Sequence, residues 1–152
     1  MLRPYREEDR EEVLRIWLEA SLQAHSFAGA GYWHAELENM REMYLPLCDA
    51  ILVWTDGEEG TPRGFMAFVG DYLAALFVEP GSQGRGIGSR LMRAALRMHP
   101  DLTLSVFQQN ERAVAFYRRH GLKVLYERTE RATGCAEYVM GRTDGPAQAS
   151  DS

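Results

Sequence analysis

Val78-Glu79-Pro80-Gly81-Ser82-Gln83-Gly84-Arg85-Gly86-Ile87-Gly88-Ser89-Arg90-Leu91-Met92 carries the chain from an apolar run, through four glycines, into an amphipathic segment. The run before it, Tyr72–Val78, reads as a strand closed by Pro80. The segment after it, Ser89–Met98, puts Leu91, Ala95 and Met98 on one helical face. A glycine turn between a strand and a helix lets successive backbone N–H groups converge on an anion, and the helix dipole adds attraction. Two phosphate-binding patterns are nevertheless excluded. A Walker loop needs Lys and Ser/Thr after its last glycine, and Ile87 follows Gly86 here. A dinucleotide fingerprint needs glycine at its sixth position, and counting from Gly84 or Gly86 that position is Ser89 or Leu91. Glycines alone are equally compatible with a tight structural turn.

Outward from this turn the chain reads as one α/β domain over residues 1–142. Residues 2–6 suit a short strand. Val13, Ile16, Trp17, Ala20 and Leu22 mark an amphipathic helix from about Glu7 to Ala24, and a second helix is expected from Trp33 to Leu45. Ala50–Thr55 and Gly64–Val69, joined by turn chemistry at Asp56–Pro62, predict a hairpin. Leu102–Phe107 alternates like a half-buried strand, Glu111–His120 is helical with Gly121 as its stop, and two strands are expected at Val124–Arg131 and Glu137–Arg142. The polar stretch 143–152 is expected to be a flexible tail.

Composition bounds the function. The 152 residues are 45% hydrophobic and 26% charged, enough apolar material for one core. Cys48 and Cys135 form no CxxC pair and no staple framework, so core thiols in a reducing compartment are expected. No apolar stretch has the length of a signal peptide or a membrane span, which points to a cytoplasmic protein. Residues 1–76 hold 6 basic and 14 acidic side chains, and residues 77–152 hold 11 and 8, so the halves carry −8 and +3. The net charge of −5 argues against nucleic acid as a partner. It leaves room for a small polyanion on the second half and a cationic acceptor on the first. A solvated acidic helix accounts for the first half equally well.

The glycine segment is followed, after one strand, by Asn110-x-x-Ala113-x-x-Phe116-Tyr117-x-x-x-Gly121-Leu122. The pair of motifs, in this order, resembles the GNAT N-acetyltransferase superfamily, and the resemblance covers residues 2–142. Trp17, His25, Phe27, Tyr32 and Trp33 further resemble the bacterial branch with ribosomal-protein and other protein acetyltransferases. The resemblance implies a mixed, mostly antiparallel sheet flanked by helices, with acetyl-CoA between two splayed parallel central strands. It implies that Leu76, Phe77 and Val78 pair with the pantetheine amides, as an added strand would. Gly84, Arg85, Gly86, Ile87, Gly88 and Ser89 would hold the pyrophosphate, Asn110 the pantetheine arm, and Tyr117 would stand near the sulfur. Arg85 and Arg90 are either phosphate neighbours or ordinary exposed arginines.

Direct acetyl transfer to an amine needs a neutral amine, a polarised carbonyl and a proton for the departing thiolate. The backbone N–H of Val78 is the candidate for the carbonyl and Tyr117 for the proton. With a phenol near 10 and a thiol near 8.5, that transfer is uphill by about 2 kcal/mol. Some relatives carry a carboxylate five residues before the motif asparagine, where this chain has Ser105. His25 is then the imidazole to test as base, with a structural histidine at the helix end as the alternative. His34, His99 and His120 read as surface or helix-end residues, and no spacing suggests a metal. Without the Ser105 carboxylate, deprotonation at pH 7 favours α-amines (about 1.4 kcal/mol) over lysine (about 4.6 kcal/mol), whereas the branch resemblance favours protein lysines. The expected acceptor is a protein, peptide or small amine, met by a monomer or homodimer. Rival readings are a non-catalytic acyl-CoA-binding sensor, which the missing carboxylate allows, and a nucleotide-phosphate enzyme, which the failed loop patterns disfavour.

Overall fold

The structure, a computed structural model, describes residues 1–142, so the expected tail at 143–152 lies outside the described residues. Seven strands form one sheet: β1 (Leu2–Pro4), β2 (Ala50–Thr55), β3 (Pro62–Val69), β4 (Tyr72–Val78), β5 (Thr103–Phe107), β6 (Lys123–Thr129) and β7 (Ala136–Gly141). Their order is β1-β2-β3-β4-β5-β7-β6, and only β4 and β5 run parallel. This is the mixed, mostly antiparallel α/β architecture expected from the sequence.

Helices cover both faces. One face carries α1 (Arg10–Ala24), α2 (Ala30–Asn39) and the single turn α3 (Leu45–Leu47). Val13, Ile16, Trp17 and Trp33 pack there against Val53 and Phe65. The other carries α4 (Ile87–Met98) and α5 (Glu111–Arg119), with Leu91, Met92 and Ala95 buried against Met66, Leu104 and Met140. The second helix differs from the sequence reading. It starts at Ala30, three residues earlier than expected, and widens into a π-helical turn at Met40–Tyr44 before Leu45–Leu47. The extra residue in that turn lets both Met40 and Leu45 reach the core. The cysteines are also corrected: Cys48 and Cys135 are free and half-buried, not core residues.

One irregularity positions everything that follows. Opposite Ala67 and Phe68 of β3 stand Ala75 and Leu73 of β4, leaving Ala74 as the extra residue of a β-bulge. The bulge reverses the phase of β4. Leu73 packs toward α4, whereas Ala75 and Phe77, an even number of residues further on, pack toward α1 and α2. Pairing of β4 with β5 stops at the same place, after Tyr72 with Thr103 and Leu73 with Leu104. Beyond it the two parallel strands splay apart.

Candidate active site

The splay opens a cleft of about 700 Å³ through the sheet. Its wall takes Leu76 and Val78 from β4, Ser105 and Phe107 from β5, Asn110 and Tyr117 from α5 and its cap, and His25 from the end of α1. Tyr117 and Val78 pack with the α4–α5 cluster, while Phe107 and Trp33 pack with the α1–α2 cluster. The cleft therefore has one wall on each side of the sheet.

Backbone alternation decides which groups of β4 face the opening. The N–H of Glu79 donates to Arg63 O at 2.9 Å, so Phe77, two residues back, also turns its N–H and C=O toward β3. Leu76 and Val78 turn theirs into the splay. The carbonyl of Val78 already accepts from Gln83 Nε2 at 3.1 Å. An extended amide-bearing arm laid along β4 would find the groups an added strand would use.

At one end of the cleft stands the glycine turn. Gly84 and Gly86 have φ of 85° and 81°, a backbone region that side chains disfavour, and a Cβ at either would meet nothing within 4 Å. Gly86 caps α4 without a side-chain hydrogen bond, and the helical ladder begins with Arg90 N–H to Gly86 O at 3.1 Å. The N–H groups of Ile87, Gly88 and Ser89 precede that ladder and remain available to an anion. The Ile87 side chain is buried in the core, so only its backbone can serve. The turn is anchored from behind by Glu79, whose carboxylate accepts from Ser82 Oγ at 2.6 Å and from Arg15 and Arg63 at 2.8 Å each. Burial alone would raise Glu79, but these bonds prevail and hold it at about 2. Arg85 pairs with Asp56 at 3.1 Å on the exposed surface, and Arg90 lies over the Trp54 ring at 5.5 Å. Neither belongs to the cleft wall.

At the centre, Asn110 joins the two motifs. Its Oδ1 accepts from the Ala113 N–H at 3.2 Å and caps α5, which fixes the amide orientation and leaves Nδ2 as a donor. Nδ2 stands 3.1 Å from His25 Nε2, so that nitrogen accepts and the neutral ring carries its proton on Nδ1. Trp33 Nε1 donates to the His25 carbonyl at 2.8 Å and holds the segment in place. Phe107 lies against the ring edge-on at 5.2 Å. Burial in this aromatic nest pushes His25 down to about 4, and its Nδ1 is buried without a hydrogen-bond partner. Tyr117, partly buried, makes no hydrogen bond through its hydroxyl among the described residues. Burial, and then the nearby Tyr72 phenol, push it up to about 12.

Sequence reading missed a polar cluster on the α1–α2 side. Ser105 Oγ accepts from Tyr72 at 2.9 Å and from Arg128 Nη2 at 2.7 Å. Arg128 Nε donates to Glu137 Oε1 at 2.6 Å. The available signal was Glu137 itself, an acidic residue at an inward position of a short apolar strand.

A cleft between splayed parallel strands, with a glycine turn at the head of a helix and a phenol in its wall, suits a transferase that holds an anionic donor. Residues 10–122 match the family described as acetyltransferase (GNAT) family, and this chain belongs to it, as an N-acetyltransferase that uses acetyl-CoA. It is similar to the peptidyl-lysine N-acetyltransferase YjaB of Escherichia coli strain K12, 40% identical over 123 residues that cover 81% of this chain and 82% of the relative. The peptidyl-lysine N-acetyltransferase YiaC of the same strain is 34% identical over 126 residues, 82% of this chain and 84% of that protein. The solution structure of apo-form YjaB from Escherichia coli superposes with a TM-score of 0.83 at 31% identity, over 95% of this chain and 98% of that one. A PaiA N-acetyltransferase from Thermoplasma acidophilum, solved in complex with coenzyme A, shares the fold with a TM-score of 0.73 at 18% identity, over 93% and 97% of the two chains.

Proposed function

We propose that this chain acetylates lysine side chains of proteins or peptides by direct transfer in a ternary complex. The observation that carries the reading is the cleft itself: free backbone on Leu76 and Val78 lies between a phosphate-accepting turn and the hydroxyl of Tyr117. Lysine as acceptor is supported by YjaB and YiaC, by the acidic first half of the chain, and by the aromatic wall on the α1–α2 side. Two free cysteines suit a reducing cytoplasm, and we take the working form to be a monomer or homodimer. Among the described residues no helix is long and apolar enough to cross a membrane.

Bound acetyl-CoA supplies an activated acetyl group: its C–S bond breaks as the C–N bond to the amine forms, and sulfur leaves as a thiolate that needs a proton. Tyr117 holds that proton, because a phenol raised to about 12 stays protonated at every physiological pH. Against a thiol near 8.5 the transfer is uphill by about 5 kcal/mol, more than an unperturbed tyrosine would require. The same burial raises the thiolate's basicity and offsets part of the difference. The Val78 N–H polarises the acetyl carbonyl, and the N–H groups of the Gly84–Ser89 turn take the pyrophosphate. Asn110 steadies the arm of the donor and orients His25. The imidazole is neutral, with Nε2 engaged by Asn110, so it contributes the Nδ1 position rather than a free base.

Thiol release from acetyl-CoA, followed with lysine peptides and with small amines and paired with mass analysis of the peptide, tests the reading. One acetyl group appearing on a lysine is the expected result. Binding of acetyl-CoA with no turnover on any amine would instead favour an acyl-CoA sensor, a reading the named relatives do not support.

A further inference from the structure

We propose that Glu137 is the carboxylate that receives the acceptor's ammonium group, with Arg128 as its positioning residue. This rests on the lysine reading above and deepens it.

Two carboxylates stand in the cleft wall among the described residues, and they differ sharply. Glu111 is exposed at the start of α5, whereas Glu137 is only 5% exposed. Glu137 pairs with Phe107 across β5 and β7, and with Arg128 across β6 and β7. Directly opposed residues of antiparallel strands share a face, so all three side chains lie on the side of α1 and α2. Ser105, two residues from Phe107, shares it. Position 105 is a serine, and the acidic side chain on this face stands on the neighbouring strand β7.

The carboxylate is half-used. Oε1 takes the Arg128 Nε–H at 2.6 Å, and Oε2 makes no hydrogen bond among the described residues. Arg128 cannot swing to cover both oxygens, because its Nη2 is spent on Ser105 Oγ at 2.7 Å. Ser105 is itself fixed by Tyr72 at 2.9 Å. Oε2 is not among the sealed, unpartnered atoms, so this oxygen opens to the cleft, where an arriving cation can take the place of water. It lines a cleft whose wall on this side includes the rings of Phe107, Trp33 and His25. Aromatic rings beside an anion match a lysine side chain, four methylenes carrying a compact cation with three donors. The anion docks the ammonium, and the proton that must leave before attack passes to solvent.

The test compares acceptors of different charge on the full chain. Glu137→Gln keeps the shape of the side chain and an oxygen for Arg128. With a peptide carrying one lysine, this variant is expected to raise KM at least tenfold, with acetyl-CoA binding unchanged in calorimetry. Glu137→Asp, which retains the charge on a shorter arm, is expected to recover part of that loss. A second measurement needs no variant. n-Butylamine, cationic at pH 7.5, should compete with the peptide at least tenfold more tightly than 1-butanol, an uncharged chain of equal length. A wild-type KM retained by Glu137→Gln, or equal competition by the amine and the alcohol, would overturn the assignment of Glu137 while leaving lysine acetylation standing. No wild-type turnover on any lysine peptide would overturn the lysine reading first, and this assignment with it.

Discussion

On the α4–α5 side of the cleft every functional group comes from two short segments, Leu76–Ser89 and Asn110–Tyr117. On the α1–α2 side, His25, Phe107, Arg128 and Glu137 come from four elements spread between the beginning and the end of the domain. The first wall offers mainly backbone: N–H groups of a glycine turn, the open edge of β4, and one phenol. The second works through side chains, a neutral imidazole among aromatic rings and a half-satisfied ion pair. Under the proposed function a diphosphate and an amide arm would be met by N–H groups that a local turn presents once its φ angles are right. An amine has no such partner in the backbone turn, and its charge must be met by a side chain brought from elsewhere.

Removing the phenol would strain that comparison most. Tyr117→Phe is expected to lower kcat by about 10²–10⁴, the usual range for a lost general acid, with the affinity for acetyl-CoA unchanged. Stopped-flow thiol release and calorimetry read the two quantities separately. A fall in affinity with kcat preserved would make Tyr117 part of the binding wall and erase the division of labour.

Acid should act on the second wall through His25. His25 is depressed from about 6.5 to about 4, so the unfolded chain binds its proton first as the pH falls. Stability should therefore be complete above pH 6.5 and decline by about 3 kcal/mol on the way to pH 4. Denaturant unfolding at a series of pH values measures it, and His25→Asn should flatten the slope between pH 6.5 and 5. Below about pH 4 a second loss is expected as Glu79, held at about 2, becomes protonated in the unfolded state first.

The bridge between the walls can be tested on its own with Asn110→Asp. The carboxylate keeps the cap on Ala113 but cannot donate to His25 Nε2, and its charge favours the protonated ring. Stability at pH 8 should change by less than about 1 kcal/mol, while the His25 titration, followed by NMR, moves upward.

The smallest effect is expected at Arg85. Its guanidinium is half exposed and tied to Asp56, so Arg85→Ala should change stability by less than about 1 kcal/mol. It should weaken acetyl-CoA binding only a few-fold, because the backbone of the turn carries the contact. A large loss would mean that the first wall also recognises its ligand through side chains.

How legible each wall was in the sequence follows from its construction. The anion turn, the helix behind it and the Asn110–Tyr117 segment lie within a few residues of their own signals: glycine positions, helical periodicity, a cap. The start of α2 is placed three residues late because Phe27–Gly31 reads as one breaker, whereas Gly29 at φ 90° is the break and Ala30 and Gly31 are already helical; the π-helical turn has no local signal, and packing of Met40 and Leu45 into one core decides it. Local pattern could place Glu137 on a strand, but which strand lies beside β7, and which residue opposes it, depends on pairings across the chain. The same limit applies to Asn110 and His25, joined across 85 residues. By itself the sequence determined most of the elements, the glycine turn at the head of α4 and the helix that carries Tyr117, because each is an event of a few neighbouring residues. Only the tertiary structure decided where β4 parts from β5, which backbone groups open into that gap, and which carboxylate faces it, because strand register and sheet order are set by long-range packing.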